Sequence, residues 1–405
     1  MLCHRAGVYV TLCFMTNKET LTLMWKDFEV LSFEADYEKG DLRFLEEKEH
    51  FDKVPYDLVK AKDKHFGLFR FFGSRAIPPM RSGFQAIMDA THCRNALELS
   101  FKGHGLSLSS HYWIKREGEN LRYEDINFFT HKWDDSFGRA LLRGDYEALG
   151  ECDFNVPDIV TPGWGNKGWL YEDGPKLYKR GLDPEHSEEA ICEVLASSVA
   201  SRIIPGGEVL PYELRKFDGK YASVSSCFLG MDEELVPLSS ILSMELSELY
   251  REKATNKDLN KEFFDKLAQT DHAEWSTFFV KVACLRSLCF VSDLHFGNLS
   301  AIQNMETGAL RLAPIYDFGG AFGSSAKGRQ FLANANKAAF LLIYFVYGDL
   351  NPDWDYSWYD PNRLIGVEEE IRDYLSKTDF YTPEYIDCAL DIFRRQKKML
   401  DGMKK

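Results

Sequence analysis

Apolar residues recur along this chain with two different periods, and the change of period marks out its parts. From Phe28 to Ala90 they alternate in short runs that predict strands, until Arg81 to Ala90 opens a helix. Trp169 to Lys179 reads as two short strands around Asp173-Gly174. Asp183-Pro184 then supplies an N-cap and first helical residue for a helix to about Ser201. Val209 to Phe217 and Tyr221 to Leu229 are predicted strands, joined by the hairpin signal Asp218-Gly219. Further on, Phe278, Val282, Leu285 and Cys289 fall at three- and four-residue steps, so Glu274 to Val291 is expected to be a buried helix. Leu299 to Gln303 and Leu310 to Tyr316 return to strand, with 304 to 308 as a tight reversal.

This arrangement sets chemistry-bearing residues at the ends of elements. Asp293 falls just past the predicted helix, Asn298 lies five residues on, and the hairpin folds Asp317 of Asp-Phe-Gly back beside Asn298. Moving a γ-phosphoryl group needs a carboxylate to orient the acceptor and a divalent metal bridging phosphate oxygens. Asp293 is the expected base, with Asn298 and Asp317 as metal ligands and His295 bracing the loop beside the nucleotide. Upstream, Gly163, Gly165 and Gly168 form a Gly-x-Gly-x-x-Gly run followed by strand, which suits a cover over ATP phosphates better than a dinucleotide fold. Gly163, Trp164, Gly165, Asn166 and Lys167 are its candidate contacts, through backbone N–H groups and side-chain donors. Lys179 shares a strand face with Leu177, so it is expected to point inward and pair with phosphate, leaving Lys176 solvated. Its acidic partner is open between Glu188, nearer the apolar face of the following helix, and Glu193, opposite that face. The chain would cross between lobes near Cys227, Phe228 and Leu229, where kinases bind adenine through backbone groups.

These motifs resemble the HipA-like serine/threonine kinases, especially the stand-alone branch of Gram-positive bacteria. The resemblance rests on Asp-Leu-His-Phe-Gly-Asn (293 to 298) and Ala-Pro-Ile-Tyr-Asp (313 to 317). It also includes segments 28 to 33, 74 to 81, 105 to 114 and 124 to 129. It implies an α+β, two-lobed, protein-kinase-like fold with a small N-terminal β-rich module and a mainly helical C-terminal lobe. It implies ATP and Mg2+ as cofactors, a protein serine or threonine as acceptor, and a separately encoded antitoxin as the partner to look for. By position, Asp293 resembles the catalytic aspartate, Asn298 and Asp317 the metal ligands, Lys179 the ATP lysine, and 163 to 167 the phosphate loop. Thr161 is the hydroxyl nearest the position at which that loop can be autophosphorylated. Val291 departs from the Asn often found two residues before the catalytic Asp. The expected division is an arm at 1 to 23, a module at 24 to 90, a nucleotide-binding lobe at 91 to 228 and a helical lobe at 229 to 405.

Two other readings share these residues. Asp-Leu-His-x-Gly-Asn is also similar to the loop of aminoglycoside and choline phosphotransferases, and Asp349, Asp353, Asp355 and Asp360 with Trp354, Tyr356, Trp358 and Tyr359 would then form an acceptor pocket. A catalytically dead kinase-fold binding module is the third, opposed by the intact Asp293, Asn298, Asp317 and Lys179.

Composition narrows the setting. A net charge of −14 over 405 residues speaks against a large nucleic-acid footprint. Nine cysteines without a Cys-x-x-Cys pair indicate neither zinc nor a secreted disulfide framework, and point to a reducing cytoplasm. The apolar stretch 7 to 15 resembles a signal peptide but lacks a small-residue cleavage site, and is expected to be a mis-assigned start or a loose arm; 338 to 347 is too short to span a bilayer.

Overall fold

The computed structural model of the protein describes residues 18–181, 187–252, 257–291, 293–324 and 350–404. The predicted N-cap at Asp183-Pro184, the apolar stretch 338–347 and the arm up to residue 17 lie outside the described residues. The architecture is α+β, with a β-rich N-terminal part and helices concentrated toward the C-terminus.

Lys18–Trp25 (β1), Phe28–Asp36 (β2), Asp41–Glu47 (β3) and Tyr112–Arg116 (β4) make an antiparallel sheet in the order β3-β2-β1-β4. This first sheet therefore draws a strand from beyond residue 90. Helices Lys64–Gly73 and Ala96–Lys102 cover it, and their Leu68, Phe71, Phe72 and Phe101 join Leu21, Leu23, Leu31 and Phe33 in one apolar cluster. Each helix starts on a side-chain cap, Asp63 accepting from the His65 amide and Asn95 from the Glu98 amide.

Asn166–Glu172 (β5), Gly174–Gly181 (β6), Glu213–Phe217 (β7) and Lys220–Ser226 (β8) form the second sheet, ordered β5-β6-β8-β7. The β5–β6 hairpin is longer than the sequence suggests, and its register sets Lys167 opposite Lys179 and Lys179 opposite Ser223. One face packs Leu170, Tyr178, Ala222 and Val224 with Leu142 of the Ser136–Arg143 helix. The strand predicted from Val209 begins only at Glu213. Pro211 has no N–H to give a ladder, and Val209 instead makes an isolated parallel bridge to Ile315. Between the strands lies the Glu188–Ile203 helix, buried on almost every side.

Glu233–Pro237 (β9), Ser300–Asn304 (β10) and Leu310–Leu312 (β11) make a third sheet, ordered β11-β10-β9. The reversal between β10 and β11 is closed by the Asn304 side chain, which accepts from the amides of Glu306 and Thr307, and by Gly308 at φ +72°. β11 stops at Leu312 because Ile315 leaves the hairpin for Val209 and the Leu210 amide, which donates to the Ile315 carbonyl at 3.0 Å. Beneath this sheet, helix Ser276–Cys289 and the Pro383–Met403 helix share the largest core, with Ser287 donating to Gln396 at 2.6 Å.

Candidate functional site

Four segments converge beside the second sheet, and Lys179 is where they meet. Tyr178 points into the apolar side of β6, so Lys179 projects from the opposite face. Its ammonium donates to Glu193 Oε1 at 2.8 Å and to Asp317 Oδ1 at 2.9 Å. Glu193, not Glu188, is thus the helix partner. Ser223, opposite Lys179 on β8, donates to the other Glu193 oxygen, and the Lys179 ammonium lies 5.5 Å from the Tyr212 ring centre. Burial alone would lower the Lys179 pKa, but the charges of Asp317 and then Glu193 outweigh it and hold the ammonium well above its ordinary value.

Asp317 follows the third sheet with its backbone at φ +60°, a conformation uncommon outside glycine. Its amide donates to the Tyr212 hydroxyl at 3.2 Å, which fixes that turn. Burial pushes its carboxyl up, and Lys179 and Lys167 together overcome this and hold it below the usual range.

The loop carrying Asp293 leaves the Ser276–Cys289 helix through Phe290 at φ +54°. Alternation then does the positioning: Leu294 and Phe296 are buried in the large core, while Asp293, His295 and Gly297 face outward. Asn298 closes the loop, its Nδ2 donating to the Asp293 carbonyl at 2.9 Å and to Asp293 Oδ2 at 3.1 Å. His295 stands 3.5 Å from Asp293 Oδ1, and its Nδ1 accepts from the Gly297 amide at 3.0 Å. The Asp293 side chain is 54% exposed. Partial desolvation first, and then the charge of Asp317, raise its carboxyl above the ordinary aspartate value. Gly319 lies close by, since a Cβ there would come within 3.2 Å of Asp293 Oδ2.

With Nδ2 committed to Asp293, the Asn298 side chain keeps its amide oxygen for a ligand, and Asp317 keeps the oxygen that Lys179 does not use. One amide oxygen and one carboxylate suit Mg2+, which takes few protein ligands and fills its remaining positions with phosphate and water. Among the described residues, no cluster of three His, Cys, Asp or Glu side chains is arranged to hold a metal by itself.

Two glycines of the upstream run have different roles. Gly163 sits at φ +106°, and a Cβ on it would reach 2.1 Å from the Lys167 ammonium, which folds back over the loop. Gly168 instead allows β5 to pack on the Ser136–Arg143 helix, where a Cβ would meet the Gly138 carbonyl at 2.4 Å. Trp164 is exposed, whereas Asn166 is buried with its Oδ1 accepting from the Tyr146 hydroxyl at 3.2 Å. Burial, and then the charge of Lys179, push the Lys167 ammonium down to about 7. Thr161 is buried, its hydroxyl donating to the Pro157 carbonyl at 2.8 Å and accepting from Trp169 Nε1 at 3.0 Å. Cys227 and Phe228 leave the end of β8 partly exposed; the Cys227 amide donates to the Pro175 carbonyl, and the Phe228 ring lies 5.9 Å from that of Tyr316.

Sequence reasoning missed Tyr212 and Ser223. Ser223 is recoverable once the strand register is known, because it faces Lys179 directly; nothing local marks Tyr212.

No family model and no curated protein matches this chain. Among solved structures, HipA of Shewanella oneidensis MR-1, from a toxin–antitoxin complex with HipB and operator DNA, superposes with a TM-score of 0.55 at 11% identity, covering 95% of this chain and 99% of that one. The chain has a HipA-like kinase fold. A Helicobacter pylori proinflammatory kinase, CtkA, matches with a TM-score of 0.41 at 17% identity over 59% of this chain and 90% of that chain. Within the HipA-like fold, Lys179 comes from the second sheet, Glu193 from the helix packed on it, and Asp293, Asn298 and Asp317 from loops on either side of β10 and β11.

Proposed function

We propose that this protein is an ATP-dependent phosphotransferase that moves the γ-phosphate to a protein serine or threonine hydroxyl. The observation that carries the reading is the single ammonium of Lys179 held between Glu193 and Asp317, with the Asp293–Asn298 loop alongside. Glu193 fixes the lysine so that its charge is offered to nucleotide phosphates, and Gly163, Trp164, Gly165, Asn166 and Lys167 cover them. Cys227 and Phe228 flank the adenine. Asn298 and Asp317 would hold Mg2+, which when bound neutralises charge on the transferring phosphate. Asp293, half-exposed and steered by Asn298 and His295, accepts the proton of the incoming hydroxyl; its raised carboxyl makes it a better base than a free aspartate.

A protein acceptor is favoured over a small cationic one by the stretch 350 to 360, Asp349 lying outside the described residues. Tyr356 and Tyr359 are buried, bonded to the Asn351 carbonyl and to Asp401, and Trp354 packs on Phe264 with ring centres 4.9 Å apart. These rings support a packed loop and not a cage.

The HipA of the comparison is found with HipB, and this supports a separately encoded antitoxin or regulator as partner. The acidic net charge of −14 favours leaving any DNA contact to that partner. No helix of the described residues is long and apolar enough to cross a membrane, and the seven described cysteines are free, which supports a cytoplasmic site of action. Self-phosphorylation at Thr161 would require the glycine loop to leave its place, given how its hydroxyl is buried.

The test is transfer of label from [γ-32P]ATP in a cell extract, comparing wild type with Asp293→Asn. Label in protein that depends on Asp293 supports the reading. Label confined to small molecules would move the assignment to a small-molecule kinase, and equal labelling by both proteins would remove Asp293 from the role of base.

A further inference from the structure

The segment Pro78 to Gly83, N-terminal to the second sheet by some eighty residues of sequence, reaches the glycine loop and takes hold of its carbonyls. Arg81 is buried, at 3% exposure, and its guanidinium donates to the carbonyls of Thr161, Gly163 and Lys167, each at 3.2 Å. The neighbouring Ser82 amide donates to the Trp164 carbonyl at 3.1 Å. Tyr146 completes the tie, its hydroxyl shared between the Ser82 carbonyl at 3.1 Å and Asn166 Oδ1 at 3.2 Å.

The result is a division of labour within the loop's backbone. Its carbonyls at 161, 163, 164 and 167 are bound from one side, while among the described residues the amides of Gly163, Trp164 and Gly165 have no hydrogen-bond partner. Successive free N–H groups in a glycine-containing turn form a concavity suited to phosphate oxygens. A guanidinium is needed for the bound side, because its planar fork spans several acceptors where an ammonium offers a point charge. Arg81 also makes no salt bridge among the described residues, so the charge of this buried cation is met at hydrogen-bond distance by the loop carbonyls, with the Asp158 carboxylate acting on it from further off.

We propose that Arg81 is a positioning residue for nucleotide phosphates, holding the carbonyls of the glycine loop away so that its amides are left for the anion. This rests on the phosphotransferase reading above. It also gives the N-terminal region a part in the nucleotide site.

Isothermal titration with Mg-ATP and with adenosine separates the possibilities, using wild type, Arg81→Ala and Arg81→Lys, with unfolding midpoints measured in parallel. Wild type binds ATP more tightly than adenosine. In both variants that preference falls roughly tenfold or more, equivalent to about 1.4 kcal/mol, while adenosine affinity is retained. Added guanidinium restores part of the preference in Arg81→Ala and none is gained by wild type. An unchanged preference in either folded variant overturns the proposal, as does a parallel loss of adenosine and ATP affinity, which is what a purely structural brace would produce. If Arg81→Ala does not fold, Arg81→Lys decides. A wild type without preference for ATP would refute the phosphate-site reading itself, a result distinct from failure of Arg81 alone.

Discussion

Replacing Lys179 by Met removes the cation from between two acids and leaves an aliphatic stem of similar length. Glu193 is then buried with its side chain 7% exposed, and Asp317 remains at 30%. Removing one member of a buried pair costs about 3–5 kcal/mol because the other charge is stranded. The partial exposure of Asp317 places this case at the lower end, at roughly 3 kcal/mol. For a cooperative unit of 150–250 residues, about 2–4 °C per kcal/mol converts this into a fall of roughly 6–12 °C in unfolding midpoint. The pH dependence identifies the cause. In wild type, Lys179 has a raised pKa, so its contribution is complete below the unfolded value of about 10.4 and is lost only as pH rises through the folded value. Asp317 has a depressed one, so its contribution is present above the unfolded value of about 3.9 and is lost as pH falls through the folded value. The pair therefore contributes almost constantly between roughly pH 5 and 9. In Lys179→Met, Asp317 keeps the burial that raises its carboxyl and loses its main compensating charge, so protonation relieves the strain. Scanning calorimetry across pH should show the deficit greatest near pH 7.5 and shrinking by more than half toward about pH 4. A deficit of the same size at every pH would mean that packing and not charge was lost, and would refute the ion-pair account.

Three further outcomes follow from the geometry. The acid limb of kcat/KM should lie above the ordinary aspartate value of about 3.9, because desolvation and Asp317 raise Asp293; His295→Ala should move it higher still, since His295 acts to lower that carboxyl. A pH–rate profile with an unmoved limb would separate His295 from Asp293. At the docking of the N-terminal region onto β9, Glu234 is buried beside Arg75 at 3.2 Å, and burial pushes its carboxyl up to about 7, with Arg75 offsetting only part. Ionising it in the fold is unfavourable, so wild-type stability should decline as pH rises from about 4.3 toward 7, and urea titrations of Glu234→Gln should lack that slope. Thr161 is buried with its hydroxyl bonded to Pro157 and Trp169, so intact-mass analysis after incubation with ATP should find no phosphate on it while the glycine loop stays in place; a phosphate on wild type that is lost in Thr161→Ala would show that the loop leaves its place.

How far the site could be read from sequence depends on the range of the contacts that build it. The Asp293–Asn298 loop is local: Leu294 and Phe296 anchor it in the core by simple alternation, and Asn298 reaches back over five residues. The return of Asp317 is also legible, because Asn304 and Gly308 are good turn residues at the right separation. Choosing Glu193 over Glu188 was beyond periodicity. Both are buried, together with Ile191, Val194 and Leu195, so this helix has no outward face against which to read the other. Its partner is set by the register of β6 with β8, which brings Ser223 opposite Lys179. The pairing of β4 with β1 and the reach of Arg81 to the glycine loop are likewise long-range, and no local pattern announces them.

The central claim, that Asn298 and Asp317 hold one nucleotide-bound metal beside Asp293 while Lys179 meets the phosphates, is tested most directly by crystallography with a non-hydrolysable ATP analogue and Mn2+. Anomalous scattering should place one manganese against the Asn298 amide oxygen and the Asp317 carboxylate, with the triphosphate beneath residues 163 to 167. Nucleotide bound elsewhere, or manganese away from both side chains, would contradict it.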